Sequence, residues 1–149
     1  MATRSAIGIK KGNRIRAVYC HSDGYVEHNG SILSEFYADS VKASALIAQG
    51  DISSLGASVG TKHDFAARWL DEDYVKIGDR TQVAPETTFY GRDRGEKDVS
   101  FRSFATEAEF VEHYDHCGCE YYYLMDNGVW YVKEYDREFK PLHEMFETV

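Results

Sequence analysis

The residues from Ser5 to Lys10 and again from Arg14 to Cys20 favour extended structure, with Ile7 and Ile9 on one face. Lys11-Gly12-Asn13 between them is turn chemistry, so the pattern predicts an opening β-hairpin. The period then changes. Ile32, Leu33, Phe36 and Tyr37 recur at helical spacing behind Asn29, which is expected to cap them. Asp39 is expected to cap a second helix through Val41, Ala45, Leu46 and Ala48, ended by Gly50. Asp51 to Gly56 reads as a turn, and from Ala57 to Ala84 no period is sustained. A long surface excursion at about 57–86 is therefore expected, with a short helix at Phe65 to Trp69, serving as a binding loop or an oligomer contact.

Thr87 to Tyr90 resumes a strand and enters the charged turn Gly91 to Glu96. Thr106 with Glu109 forms a capping box ahead of Phe110, Val111 and Tyr114. A hairpin closes the chain, from Glu120 to Met125, through Asp126-Asn127-Gly128, to Val129 to Tyr135. The order predicts an α+β fold in a single domain, 1–149. Its antiparallel sheet would come from the N- and C-terminal hairpins plus a middle strand, with two or three short helices on one face.

Composition narrows the functional classes. The 149 residues are 43% hydrophobic, enough for one real core, and the formal net charge of -8 opposes direct duplex nucleic acid binding by counterion release. No apolar run approaches the roughly 20 residues of a membrane span. The start lacks a basic segment followed by an apolar one, so export is not expected; the odd count of 3 cysteines fits a reducing cytoplasm. Exposed aromatics on the last hairpin, among Tyr121, Tyr122, Tyr123, Trp130, Tyr131 and Tyr135, would mark an interface, and a homo-oligomer is expected.

Three clusters carry candidate chemistry. Tyr19 to Gly30 packs Cys20, His21, Asp23, Tyr25, His28 and Asn29 into one turn-forming stretch. It is open to three readings: a turn held by Asp23 with Asn29 as helix cap, a ligand site, or a metal site. His113 to Cys119 crowds possible ligands, but Cys117-Gly118-Cys119 falls where the helix ends, so a helix C-terminus with a glycine cap and a buried thiol is the simpler reading. No cofactor and no metal are expected. In Phe89 to Glu96, Arg92 and Arg94 offer planar forks for an anion and Tyr90 a stacking surface; a solvated turn with local ion pairs has the same sequence.

Arg4-Ser5-x-Ile7-x-Ile9, Tyr19-Cys20-His21-x-Asp23-Gly24-Tyr25-x-Glu27-His28-Asn29-Gly30, Gly50 to Gly56 and Phe89 to Glu96 together resemble a family of small phage-encoded proteins, mostly of unknown function. The resemblance covers about two thirds of the chain. Ser22 stands where that family usually has an aromatic, often tryptophan, and the His-Cys-Gly-Cys stretch is not a family feature; both count against a metal site. The resemblance implies an accessory protein in the host cytoplasm that counters host defence, similar in logic to anti-Thoeris and anti-CBASS sponges.

The expected function is non-enzymatic sequestration of a small nucleotide-like phosphorylated ligand, an immune second messenger. Arg92 and Arg94 would take the anion, Tyr25 and Tyr90 would stack, and His21, Asp23, His28 and Asn29 would supply polar recognition. One alternative is an acidic inhibitor of a host defence protein, a nucleic-acid mimic acting through Asp71, Glu72 and Asp73. The other is a small enzyme using His21 or His28 as base and Asp23 to orient it.

Overall fold

The computed structural model describes residues 2–66, 69–78 and 81–146. The opening hairpin forms as β1 (Ser5–Lys11) and β2 (Arg14–Cys20), paired antiparallel from Ser5 opposite Cys20 to Lys11 opposite Arg14. A five-residue π-helical turn, Val26–Gly30, runs straight into α1 (Ser31–Phe36), and α2 (Ser40–Ala48) follows. Asp39 caps α2 by accepting from the Val41 amide at 2.6 Å, and Gly50 takes the left-handed backbone after it, with φ +90°. Asn29 is not a helix cap. It lies inside the π-helical turn, fully buried.

The segment 51–56 is not simply a turn, because Ile52–Ser54 forms β3, which continues the sheet beside the end of β2. Within 57–86, Asp71–Asp73 makes one 3₁₀ turn, and β4 (Val75–Ile77) pairs with β5 (Thr81–Val83) as a small separate ribbon. The expected helix at Phe65 to Trp69 falls partly on 67–68, outside the described residues. Val83 is buried, and Val75, Ile77, Ala57 and Val59 pack on the core, so this excursion docks at several apolar points.

β6 (Thr88–Phe89) pairs with β3, and β7 (Arg102–Phe104) lies along the first half of β2. Thr106 caps α3 (Glu107–His116), accepting from the Glu109 amide at 3.1 Å, while Glu109 reaches back to the Ala105 amide at 3.0 Å. The closing hairpin is β8 (Tyr121–Asp126) and β9 (Val129–Glu134), turning through Asn127 and Gly128, both with positive φ. A two-residue strand, β10 (Lys140–Pro141), edges β9.

These strands make an eight-stranded, mostly antiparallel sheet in the order β10-β9-β8-β1-β2-β3-β6, with β7 also on β2. The two hairpins join through β1 and β8, which run parallel, Ser5 opposite Tyr121 through Ile9 opposite Met125. Strand alternation gives the sheet two packed faces. Ile7, Ile9, Val18, Cys20, Tyr123, Met125 and Val132 share one with α1 and α2, which supply Ile32, Leu33, Leu46 and Ile47. Ala6, Ile15, Ala17, Tyr122 and Leu124 share the other with Phe110 and Tyr114 of α3. Two short helices thus lie on one face as expected, and the third covers the opposite face.

Covering on both faces explains the closing hairpin. Tyr122, Tyr123 and Trp130 are buried, Tyr121 and Tyr131 are half-buried, and only Tyr135 of the six aromatics is exposed. The Trp130 indole donates to the Tyr37 carbonyl at 2.8 Å and the Tyr123 hydroxyl to the Gly24 carbonyl at 2.6 Å. These rings are core and give no argument for self-association.

Gly24 sits where a side chain has no room. A β-carbon there would fall 2.7 Å from Ser5 Cβ and 3.0 Å from the Thr3 carbonyl oxygen. Gly24→Ala is therefore expected to push the early bend off β1 and cost about 1–3 kcal/mol in urea unfolding, with an unchanged m-value.

Candidate functional site

Three segments meet above the β3 end of the sheet: the bend after β2, the excursion, and the start of β6. They frame a groove of about 590 Å³. Ser22, Asp23 and His28 line it from the first bend, and Ser53, Ser54 and Leu55 from β3 and the residue after it. The excursion contributes Phe65, Trp69, Tyr74 and Gln82, with Thr88 at the base. The lining is chiefly polar, with three aromatic rings. A hollow of similar size, about 610 Å³, lies between the hairpin turns and α2, lined by Lys10, Lys11 and Val41 but by no aromatic ring.

Asp93 holds the groove's far wall in position. Its side chain is completely buried; one carboxylate oxygen accepts from the His63 amide at 3.0 Å and the other from the Phe89 amide at 2.8 Å. Arg92 closes on the same carboxylate, Nε to Oδ1 at 2.9 Å and Nη2 to Oδ2 at 3.1 Å. Its other donors reach the carbonyls of Val59 at 2.9 Å, Gly60 at 3.2 Å and Thr87 at 3.0 Å, and its plane lies over Phe89 with 4.6 Å to the centroid. All five donors of this guanidinium are thereby used, so Arg92 ties the excursion to β6 and has none left for a ligand anion.

Burial alone would raise the Asp93 carboxyl, but the Arg92 guanidinium and the Phe89 and His63 amides hold it below its ordinary value. His63 completes the staple: Nδ1 lies 2.9 Å from the Thr61 carbonyl oxygen, Nε2 lies 3.0 Å from Thr88 Oγ1, and the ring meets Trp69 edge-on at 5.2 Å. Asp93 Oδ1 and Glu86 Oε1 stand 3.7 and 4.0 Å from Nδ1.

The other expected site residues divide clearly. Asp23 and His28 line the groove. Arg94 stands at its rim, stacked over Phe65 at 4.5 Å and paired with Glu96 at 2.7 Å. Tyr90 lies beside Arg94 at 5.7 Å and bonds Ser53; burial raises its phenol above the ordinary value. His21 and Tyr25 are not part of the lining: His21 Nδ1 pairs with the Tyr19 hydroxyl at 2.8 Å, and Tyr25 is surface-exposed beside His28. Asn29 is structural. Its amide nitrogen reaches Ser5 Oγ, Cys20 Sγ and the Ser22 carbonyl, each at 3.3 Å, and its oxygen faces His28 Nδ1 at 2.8 Å.

Sequence reasoning missed His63 and Thr88, which no local motif marks. Trp69 and Tyr74 are isolated aromatics in an aperiodic polar segment, which is the sequence signal that could have found them.

The second cluster disperses. His113 packs on Phe104 at 5.4 Å, its imidazole held below the ordinary value by burial and then by the Arg102 and His116 charges. His116 is exposed, Gly118 ends α3 with φ +85°, and the Cys117 carbonyl accepts from Arg4 at 3.1 Å. Among the described residues no three His, Cys, Asp or Glu side chains converge on a point able to hold a metal. No helix among them is long and apolar enough to cross a membrane. In comparisons with known proteins, no family model, no curated protein and no solved structure matches this chain.

Two outcomes test this geometry. Asp93→Asn should cost about 2–4 kcal/mol in chemical denaturation at pH 7, since it leaves the Arg92 charge uncompensated. The folded carboxyl titrates below the unfolded one, so the stabilisation is complete at neutral pH and lost as acid carries the pH below about 4; the gap between wild type and variant should close there. A thiol reagent on the native protein should modify half-buried Cys117 first, because burial pushes the Cys20 thiol up to about 11 and raises Cys119 as well.

Proposed function

We propose that this protein binds and sequesters a small nucleotide-like ligand in the groove between the early bend, β3 and the excursion. The observation that carries this reading is the convergence of three aromatic rings, Phe65, Trp69 and Tyr74, with the polar groups of Asp23, His28, Gln82 and Thr88 in one groove large enough for a nucleotide. A planar base finds a stacking surface, and its edges and ribose find hydrogen-bond partners. Of the two arginines of the Gly91 to Glu96 bend, the anion role falls to Arg94, stacked over Phe65, because Arg92 is consumed by Asp93 and three carbonyls. The reading needs no second copy of the chain and no catalytic step. Combined with the phage resemblance, it describes a protein that withdraws an immune second messenger from a host defence.

A second reading rests on a different observation. Leu70 is 62% exposed and followed by Asp71, Glu72 and Asp73, all exposed on one 3₁₀ turn, an apolar tip with an acidic collar suited to docking on a basic defence protein.

A thermal-shift series separates them. Cyclic dinucleotides, cyclic ADP-ribose isomers and mononucleotides at saturating concentration should include at least one that raises Tm by several degrees, since binding only the folded state stabilises it by about 2.7 kcal/mol at a hundredfold excess over Kd. Trp69→Ala and Arg94→Ala should each reduce that shift. A flat series, with a host protein retained by the wild type and lost on Leu70→Ser, would replace the first reading with the second.

A further inference from the structure

The fixed partners of the groove's side chains decide which half of a hydrogen bond each still offers. The Asn29 amide nitrogen reaches the Ser22 carbonyl, a group that only accepts, so the Asn29 oxygen is the atom facing His28 Nδ1. His28 in its neutral form therefore carries its proton on Nδ1, and the opposite ring edge presents Nε2 as a lone pair. The same logic runs through Thr88. His63 Nδ1 faces the Thr61 carbonyl, which places the proton of the neutral ring there, so in that form Nε2 accepts from the Thr88 hydroxyl and Thr88 Oγ1 has only lone pairs left.

Asp23 adds a third acceptor to the same groove. Its carboxylate makes no ion pair among the described residues; the Tyr25 hydroxyl lies beside it, its pKa raised by burial and by that charge, and leaves lone pairs on both oxygens free. Its backbone, at φ +54°, is held by the Asn29 amide donating to its carbonyl at 3.3 Å. Acceptors from two separate segments thus face a site walled by aromatic rings.

We propose, resting on the nucleotide reading above, that the ligand is a guanine nucleotide, with the paired N–H donors of the base on the Asp23 carboxylate. Guanine alone among the common bases offers two adjacent donors, at N1 and the 2-amino group, that match both oxygens of a carboxylate. Adenine presents an acceptor at N1, which would meet the carboxylate with like polarity and leave it desolvated without a partner. The remaining acceptors, His28 Nε2 and Thr88 Oγ1, suit ribose hydroxyls.

Calorimetric titration with GMP, IMP and AMP, and with the cyclic dinucleotides of guanine and adenine, tests the assignment. Guanine forms should bind at least about tenfold tighter than adenine forms, and IMP, which lacks the 2-amino donor, should fall between them. Asp23→Asn keeps a residue that tolerates the left-handed backbone, so it should fold with an unchanged Tm, lose the guanine preference and bind AMP more tightly than the wild type does, because an amide can donate to adenine N1 where the carboxylate cannot. Nucleotides that bind without base preference, or a preference that survives Asp23→Asn, would overturn the guanine assignment and leave the nucleotide reading standing. No binding by any of the five would overturn the guanine assignment, and together with a flat thermal-shift series it would overturn the nucleotide reading as well.

Discussion

Asp93 is the point on which the groove depends. One buried carboxylate gathers the His63 amide from the excursion, the Phe89 amide from the sheet and a bidentate guanidinium from its own bend. Isolated, such a charge in the interior would be strongly destabilising; satisfied on every side, it becomes a rigid node. Its effect is topological, because among the described residues the excursion has only a two-strand ribbon and one 3₁₀ turn of regular structure. Arg92 extends the node to the carbonyls of Val59 and Gly60, and His63 extends it to Thr88 and Trp69. The wall that carries the aromatic rings is thus fixed by polar contacts, with Val83 and its neighbours as apolar anchors beneath.

On the opposite wall the same economy applies to Asn29. Its amide bonds β1, the end of β2 and the bend at once, and its oxygen orients His28. The π-helical turn is what allows this, since its wider ring puts His28 and Asn29 at a point where one faces the groove and the other the interior. Both walls therefore pair a buried polar residue that does not line the groove with a histidine whose tautomer it or a nearby carbonyl dictates. A ligand entering such a groove would meet these two histidines already held in place.

Much of the fold was legible because its instructions are local. Both hairpins carry their own turn residues and alternation, and Asp39, Gly50 and Thr106 mark helix ends by chemistry within three residues of the backbone groups they serve. β3, β7 and β10 were not legible, since strands of two or three residues have no period of their own and exist because an edge of β2 or β9 is there to receive them. The site divides on the same line. Asp23 and His28 lie in the dense polar stretch that drew attention, whereas the role of Arg92 is set by carbonyls about thirty positions away, which no local reading of Gly91 to Glu96 contains. An arginine beside an aspartate has the same sequence whether it awaits an anion or is already saturated.

The electrostatics bear on how a phosphorylated ligand would be held. A chain of net charge -8 repels such a ligand at a distance, and the groove itself offers acceptors from Asp23, His28 and Thr88. At physiological ionic strength that repulsion is screened beyond about 8 Å, so contacts in the groove decide the outcome. A nucleotide suits this balance if its base and ribose enter the groove and its phosphates remain toward the rim, where Arg94 stands over Phe65. Specificity would then rest on the buried edge of the base and affinity on its stacked face, with the phosphate contributing direction more than strength. A ligand recognised mainly through its phosphates would need cationic donors inside the groove, and the Arg92 guanidinium has already given all of its own to the fold.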